Sequence, residues 1–475
     1  MERILLSHLE TKGDAIHVTL VIPVRQIVGE SKNSLLKSHE SWERVRLVDI
    51  ATVQNGYAFR SSSFSKTKGL PLIRIRDIGE SFTECMYDGP YEEKYVVNPD
   101  DLLVGMDGNF SLARWGGKKA LLNQRVCKIS LSTEYYDPDF LELVLPGYLN
   151  EINRHTSSLT VKHLSSTDIE DIPLPLPPIA EQRRIVVKAR LMLTRISSID
   201  AMIAEVIRRL STYEMSYLEM LYSGALSSRP VNEGHLTNER SDLPSDWKRV
   251  KLKDIKSFSL YGPRYSSDAY SVDGYPVLRT SDIREDGTVD LTNAPRLRLT
   301  GDELKRYRVL PGDLLITRTG SIGTLAVYDD SIQAIPGAYL ISYRLDVPRA
   351  TVWYVYHYLR SLRGQQHLKK ASAGVGRPNI SAPKIDAIEI PMAPFEEQKL
   401  ILAAITEVRS TIRDMRLVLQ DQLRRVEWLR SSILSEAFSG NLVAQDPKDE
   451  PAVRLLKLIT SIGKASRSKK HTNSR

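Results

Sequence analysis

The sequence predicts an α+β protein: two mixed α/β domains separated by two long antiparallel helices that form a coiled coil, with a pseudo-twofold internal repeat. Three observations lead there. Short motifs recur in the same order in both halves of the 475 residues. Each half opens with strand-like runs between turns, and each closes in an unbroken heptad stretch.

The repeat comes first, because it organises the rest. "SWERVRLVDI" (Ser41–Ile50) returns as "DWKRVKLKDI" (Asp246–Ile255), and "LPLIRIRDIGE" (Leu70–Glu80) as "YPVLRTSDIRE" (Tyr275–Glu285), both displaced by 205 residues. "DLLVGMDG" (Asp101–Gly108) returns as "DLLITRTG" (Asp313–Gly320), displaced by 212. "PIAEQRRI" (Pro178–Ile185) returns as "PFEEQKLI" (Pro394–Ile401), and "YSGAL" (Tyr222–Leu226) as "FSGNL" (Phe438–Leu442), displaced by 216. A drifting displacement means loops of different length between constant elements. Residues 1–40 precede the first match and carry no fold assignment.

Residues 41–178 and 246–393 are the mixed domains. "VKLKDI", "PVLRTSDI", "DLLITRTG" and "AIEIPM" read as short strands between turns, and "TVWYVYHYLRSLRGQQHL" (Thr351–Leu368) as one helix. Each domain closes in a Pro-rich run, Ile172–Pro178 and Ile388–Pro394. Residues before Pro are held out of the α region, so these runs are extended.

Residues 179–226 and 394–442 are the helical regions. Steps of four and three from Ile185 land on Ala189, Met192, Ile196, Ile199, Ile203, Val206, Leu210, Tyr213, Tyr217 and Met220. The same steps in the second copy are broken only at Gln422 and Glu436. A seam this narrow fits one partner helix. Acidic first turns and the closing Gly224 and Gly440 suit a helix start and stop. At about 1.5 Å per residue each rod is roughly 65 Å long. The rods pair only if antiparallel, because each leaves the end of a domain. Residues 227–245 are a polar linker, exposed by composition, and residues 443–475 a basic tail expected to be partly disordered.

The composition is that of an ordinary globular protein, with 41% hydrophobic and 26% charged residues. No apolar run approaches the roughly 18–20 residues of a membrane span, and "MERILLSHLE" lacks the layout of a signal peptide. Cys85 and Cys127 are the only cysteines, too few for a disulfide framework or a zinc site. These features point to the cytoplasm. The net charge of +8 favours polyanions such as nucleic acid. Two similar but unequal domains on a rigid spacer suit a two-part site on duplex DNA, whose helical turn is about 34 Å.

The motifs resemble those of the specificity subunits of type I restriction–modification systems. The resemblance rests on the Pro-rich strand entering Pro-x-x-Glu-Gln (Pro178–Gln182 and Pro394–Gln398) and the closing Tyr222–Leu226 and Phe438–Leu442. The opening Trp42 and Trp247 elements and the two Asp-Leu-Leu elements also fit, and the likeness covers about Ser41–Leu442. It implies two target recognition domains and two conserved helical regions. It also implies a subunit without its own catalytic site or cofactor, which binds double-stranded DNA, two methyltransferase subunits and, in the full complex, two restriction subunits. Those partners would use S-adenosylmethionine, ATP and Mg. "DLLVGMDGNF" and "DLLITRTGSI" diverge after the common Leu-Leu, which fits two different half-sites.

The strings nearest to catalytic motifs lack the residues that chemistry needs. "DPDF" (Asp137–Phe140) and "LPPI" (Leu176–Ile179) do not make the Asn/Asp-Pro-Pro-aromatic loop of an adenine methyltransferase. "GVGRPN" (Gly374–Asn379) lacks the third Gly of a dinucleotide site, and "GSIG" (Gly320–Gly323) the Lys of a phosphate loop. His155 and His163 lack metal spacing. Two rival readings remain: a coiled-coil adaptor that binds no DNA, and an enzyme fused within the same superfamily.

Arg and Lys suit phosphates, and Arg, Asn and Gln suit base edges. The candidate contacts in the first domain are Arg74, Arg76, Arg114, Lys118, Lys119, Asn123, Gln124, Arg125 and Lys162. Those in the second are Tyr261, Arg264, Tyr265, Arg279, Arg318, Arg377 and Asn379. Arg74 and Arg279 have a second reading, as structural partners of Asp77 and Asp282, since both copies keep the pair. Glu181, Gln182, Glu397 and Gln398 read either as helix-start residues or as a docking surface for the methyltransferase subunit.

Overall fold

The computed structural model describes residues 22–156, 162–227, 243–284, 286–372 and 379–472. The chain forms two compact units: Met1–Asp200 with Leu423–Arg475, and Ala201–Gln422. Each holds one mixed domain and a part of both long helices.

In the first unit the Pro-rich run is a strand. Pro173–Leu176 pairs antiparallel with Glu43–Arg46, Val45 opposite Leu174. Proline has no N–H to donate, and a two-stranded ribbon tolerates that loss. A four-stranded antiparallel sheet follows, in the order Ala51–Asn55, Val126–Leu131, Leu102–Gly105, Leu112–Arg114. A second sheet contains the parallel pair Leu70–Ile73 and Ala120–Leu122. Helix Pro138–His155 begins at Asp137, whose carboxylate accepts from the Asp139 and Phe140 amides. Its Phe140, Val144 and Tyr148 are buried with Leu47, Ile50 and Ile172.

Two terminal segments join this core. Val24–Glu30, within the stretch left unassigned above, is a helix with Val24, Ile27 and Val28 buried. In the basic tail, Ala452–Thr472 is a helix whose Leu455 and Ile459 enter the same core. Charge dominates the tail's composition, but two apolar residues at i and i+4 anchor it.

The second unit repeats this plan. Lys248–Lys251 pairs with Glu389–Met392, Val250 opposite Ile390. Its four-stranded sheet runs Lys256–Tyr261, Leu340–Leu345, Leu314–Thr317, Leu325–Val327. Another sheet holds the parallel pair Tyr275–Leu278 and Ile335–Pro336. The single helix expected over Thr351–Leu368 is two, Arg349–Arg360 and Leu362–Ser372. The break lies at Ser361, which is fully buried and accepts from the Gly364 amide at 3.2 Å. Gly364 fits there because an added Cβ would lie 2.2 Å from the Tyr358 carbonyl oxygen.

The long helices span Ile179–Leu221 and Phe395–Phe438. Along the middle of each rod the buried apolar residues share one heptad phase: Ala189, Ile196 and Ile203 on the first, Ile405, Ile412, Val426 and Ile433 on the second. The alternate seam positions Ile199, Val206, Tyr213, Met415 and Leu429 are exposed. Met192, Val408 and Gln422, also at alternate positions, are half-buried, so that side of the seam is covered less completely than the other. Within the first unit Arg430 Nη2 lies 2.6 Å from Asp200 Oδ2. Within the second, Arg409 Nε lies 3.2 Å from Glu214 Oε1, and Arg416 Nη2 donates to Ser211 Oγ at 2.8 Å.

Candidate nucleic-acid interface

The loops that follow the two Asp-Leu-Leu strands are built alike. In the first unit the Met106 amide donates to the Arg125 carbonyl at 3.0 Å, the Leu164 amide donates to the Met106 carbonyl at 2.8 Å, and Asp107 bridges His163. In the second the Arg318 amide donates to the Tyr339 carbonyl at 2.9 Å, the Ile380 amide donates to the Arg318 carbonyl at 2.9 Å, and Thr319 bridges Asn379. Three separated segments are thus joined by the same backbone bonds in both copies. Both scaffolds also need a glycine where the first sheet strand ends. A Cβ at Gly56 would lie 2.0 Å from the Asn123 carbonyl oxygen, and one at Gly262 would lie 2.0 Å from that of Gly337.

The side chains on this scaffold differ. In the first unit Asp107 holds Arg125 at 3.1 Å and the His163 ring at 2.6 Å. Gln124 is exposed beside them, and Lys162 Nζ donates to the backbone and side-chain oxygens of Asn153 at 2.7 and 3.0 Å. Phe110, on the same loop, keeps a positive φ of 49° while 98% buried, so core packing fixes the loop. In the second unit the Arg318 guanidinium lies 4.7 Å from the centre of the Tyr261 ring and donates to Asn379 Oδ1 at 3.2 Å. Tyr339 stands exposed nearby in sequence register with Arg125. One copy thus offers an acid, an imidazole and a guanidinium, the other a guanidinium on an aromatic face beside an amide.

The other candidates lie elsewhere. Arg74 and Arg279 sit at equivalent 3₁₀ turns, where Asp77 and Asp282 accept from their amides at 2.9 and 2.8 Å. The guanidiniums pair with the same carboxylates, at 3.7 and 2.7 Å. Arg76 on the first turn is exposed. Arg114 pairs with Asp139 and Glu142, both at 2.8 Å, and Arg190 of the first long helix takes the same two acids. Lys119 pairs with Glu93 at 2.8 Å, whereas Lys118 and Arg264 are exposed. Asn123 is buried, and Tyr265 is half-buried against the cluster of Val277, Leu297, Leu304 and Ile335, with its hydroxyl pKa pushed up by burial. Arg377 lies outside the described residues.

Asp107, His163, Thr319 and Tyr339 were absent from the sequence-based set. For Asp107 and Thr319 the signal was the point where the two copies diverge, just after the common Leu-Leu; His163 and Tyr339 come from distant segments.

A family model described as the type I restriction modification DNA specificity domain matches residues 39–188 and 244–423. The EcoBI type I restriction enzyme specificity subunit of Escherichia coli is 34% identical over 467 residues, covering 94% of this chain and 97% of that one. The chain belongs to the type I specificity subunits. The EcoKI specificity subunit of Escherichia coli K12 is 24% identical, over 91% of this chain and 98% of that one. A solved structure described as the basis of complex assembly and conformational transition in the type I R-M system aligns with a TM-score of 0.61 and 20% identity. It covers 85% of this chain and 99% of that one, and it supports the fold.

In this specificity subunit the Glu-Gln motif turns inward. Glu181 is fully buried and accepts from Trp42 Nε1 at 3.1 Å and from the Gln445 amide, and burial pushes its carboxyl pKa up. Gln182, also fully buried, accepts from the Asp137 amide at 2.7 Å and donates to the Pro177 carbonyl at 2.9 Å. In the second copy Trp247 Nε1 donates to Glu397 at 3.1 Å. Gln398 accepts from Thr351 Oγ1 and donates to the Ala393 carbonyl, both at 2.8 Å. The opening Trp and the Glu-Gln motif therefore recur together because they bond each other. They clamp each long helix onto the domain it leaves.

Among the described residues no His/Cys/Asp/Glu group could hold a metal ion, and no helix is long and apolar enough to cross a membrane. Cys127 is fully buried, and burial pushes its thiol pKa up to about 12.

Proposed function

We propose that this chain selects the DNA target of a type I restriction–modification complex by reading a split, asymmetric sequence. Residues 41–178 and 246–393 are its two readers. An antiparallel coiled coil with a pseudo-twofold axis holds them apart. The observation that carries this reading is the pair of matched loop scaffolds bearing unlike side chains. Arg318 and Asn379 have the chemistry for guanine and adenine edges, and Arg125 and Gln124 that for the other half-site. Lys118, Arg76, Arg264 and Arg377 are assigned to phosphates, which position a reader without specifying sequence.

The long-helix contacts support the antiparallel arrangement. Asp200 meets Arg430 in one unit, and Ser211 and Glu214 meet Arg416 and Arg409 in the other, so position falls along one helix as it rises along the other. The methyltransferase subunits dock on the exposed seam residues, Ile199, Val206 and Tyr213 among them, while Glu181, Gln182 and Gln398 act from inside by fixing the helix starts. Methyl transfer and ATP-dependent cleavage fall to the partner subunits, in the cytoplasm.

Selection from random-sequence duplexes, with and without methyltransferase and restriction subunits of a type I system, tests this reading. One split sequence should be enriched, and adenine methylation should require the methyltransferase subunit. Methylation or cleavage by the chain alone would overturn it, as would the absence of any enriched sequence.

A further inference from the structure

The two long helices keep one apolar phase but carry opposite charges at two equivalent positions beside it. Displaced by 216 residues, Asp200 of the first corresponds to Arg416 of the second, and Glu214 to Arg430. In the contacts Asp200–Arg430, Glu214–Arg409 and Ser211–Arg416 the oxygen belongs to the first helix and the guanidinium to the second. Glu205, between them, is taken up within its own helix by Arg208 and Arg209, each at 2.7 Å.

We propose that this one-way charge layout makes the pairing selective: the first long helix takes the second and refuses a copy of itself. The apolar seam cannot make that choice. Ala189, Ile196 and Ile203 occupy the same heptad phase as Ile405, Ile412 and Val426, so the seam alone would accept any combination of the two helices. Charge separates the combinations. Two first helices from different chains, antiparallel in the same register, set Asp200 against Glu214 twice. Two second helices set Arg416 against Arg430 twice. Only the mixed pair sets acid against base. Discrimination of this kind rests on repulsion in the wrong pair as much as on attraction in the right one. The side chains of Asp200 and Arg430 are 35% and 37% exposed, so salt screens that contact; those of Glu214 and Arg409, at 13% and 22%, are better shielded. Given the DNA-reading role proposed above, the consequence is that both unlike domains stay in one assembly. The target then remains asymmetric rather than becoming a palindrome through exchange between chains.

The test uses the full chain in three variants. D200R/E214R makes all four positions basic, and R416E/R430E makes all four acidic. Each double variant should lose helix pairing within the chain and melt at lower temperature than the wild type. Mixed at low salt, the two should form a one-to-one heterodimer, seen by light scattering, at least roughly tenfold tighter than either self-associates. About 0.5 M salt should weaken it. The chain carrying all four substitutions together with R409E reverses the polarity of both ion pairs and should return toward the wild-type melting temperature and mass. The proposal is overturned if the double variants match the wild type and ignore each other on mixing, or if this fivefold variant stays as disrupted as the doubles. Target selection by the wild type is read separately, so a failure of the DNA-reading role would not be mistaken for a failure of this one.

Discussion

The two loop clusters make the most instructive comparison in the molecule. Around Asp107 and around Thr319 the chain makes the same backbone bonds, to Arg125 and Leu164 in one unit and to Tyr339 and Ile380 in the other. On those bonds one unit mounts an Asp–His–Arg cluster and the other an Arg–Tyr–Asn cluster. The helix starts show the opposite pattern. There Trp42 with Glu181 and Trp247 with Glu397 keep both the bond and the side chains, at 3.1 Å in each copy. Scaffold and clamp are held constant where both copies need one geometry. Side chains vary where, on the reading proposed above, each copy meets a different half-site.

Breaking what the copies have in common should have the largest effect. Removing one heptad from both long helices shortens the spacer by about 10 Å, or roughly three base pairs. The original target should be lost, and sequencing of selected duplexes should recover either a closer pair of half-sites or none. Next, Gly262→Val places a side chain against the Gly337 carbonyl and should cost about 3 kcal/mol in urea unfolding. Gly56→Val should do the same to the other unit, since both glycines face a carbonyl oxygen 2.0 Å from their would-be Cβ. Removing a clamp should cost less. Gln182→Ala strands the buried Asp137 amide and Pro177 carbonyl, and Gln398→Ala the Ala393 carbonyl. Each should lose about 1–3 kcal/mol, and a much larger loss in one copy would show that the clamps are not equivalent. The smallest effect belongs to Lys118→Ala, an exposed cation assigned to phosphate. Binding should weaken about equally for all sequences and the salt slope should fall by about one.

Much of the architecture was legible because it rests on local chemistry. Pro177 and Pro178 end an extended run, and Ile179 begins 43 helical residues. The recurring Trp and Glu-Gln motifs marked the clamp but not its direction. Sequence could not say that Glu181 and Gln182 point inward, because the partners of their side chains lie at Trp42, Asp137 and Gln445. The candidate site was half legible. Arg125, Lys162, Arg318, Tyr261 and Asn379 were named from residue type alone. Asp107 and His163 were missed, because an acid does not announce itself in a DNA reader and their contact closes over 56 residues. Arg114 was named as a candidate DNA contact, and Asp139 and Glu142 meet it from a helix 25 and 28 residues on. The two-helix break at Ser361 was missed because residues compatible with a helix run on both sides of it.

The central claim is that the two clusters read different halves of one target. Selection from random duplexes by the assembled complex carrying R318A/N379A tests it most directly, against the same selection by the wild type. The account predicts that the half-site read by residues 246–393 becomes degenerate while the other half and the spacing are unchanged. Degeneracy in both halves, or in neither, would contradict it.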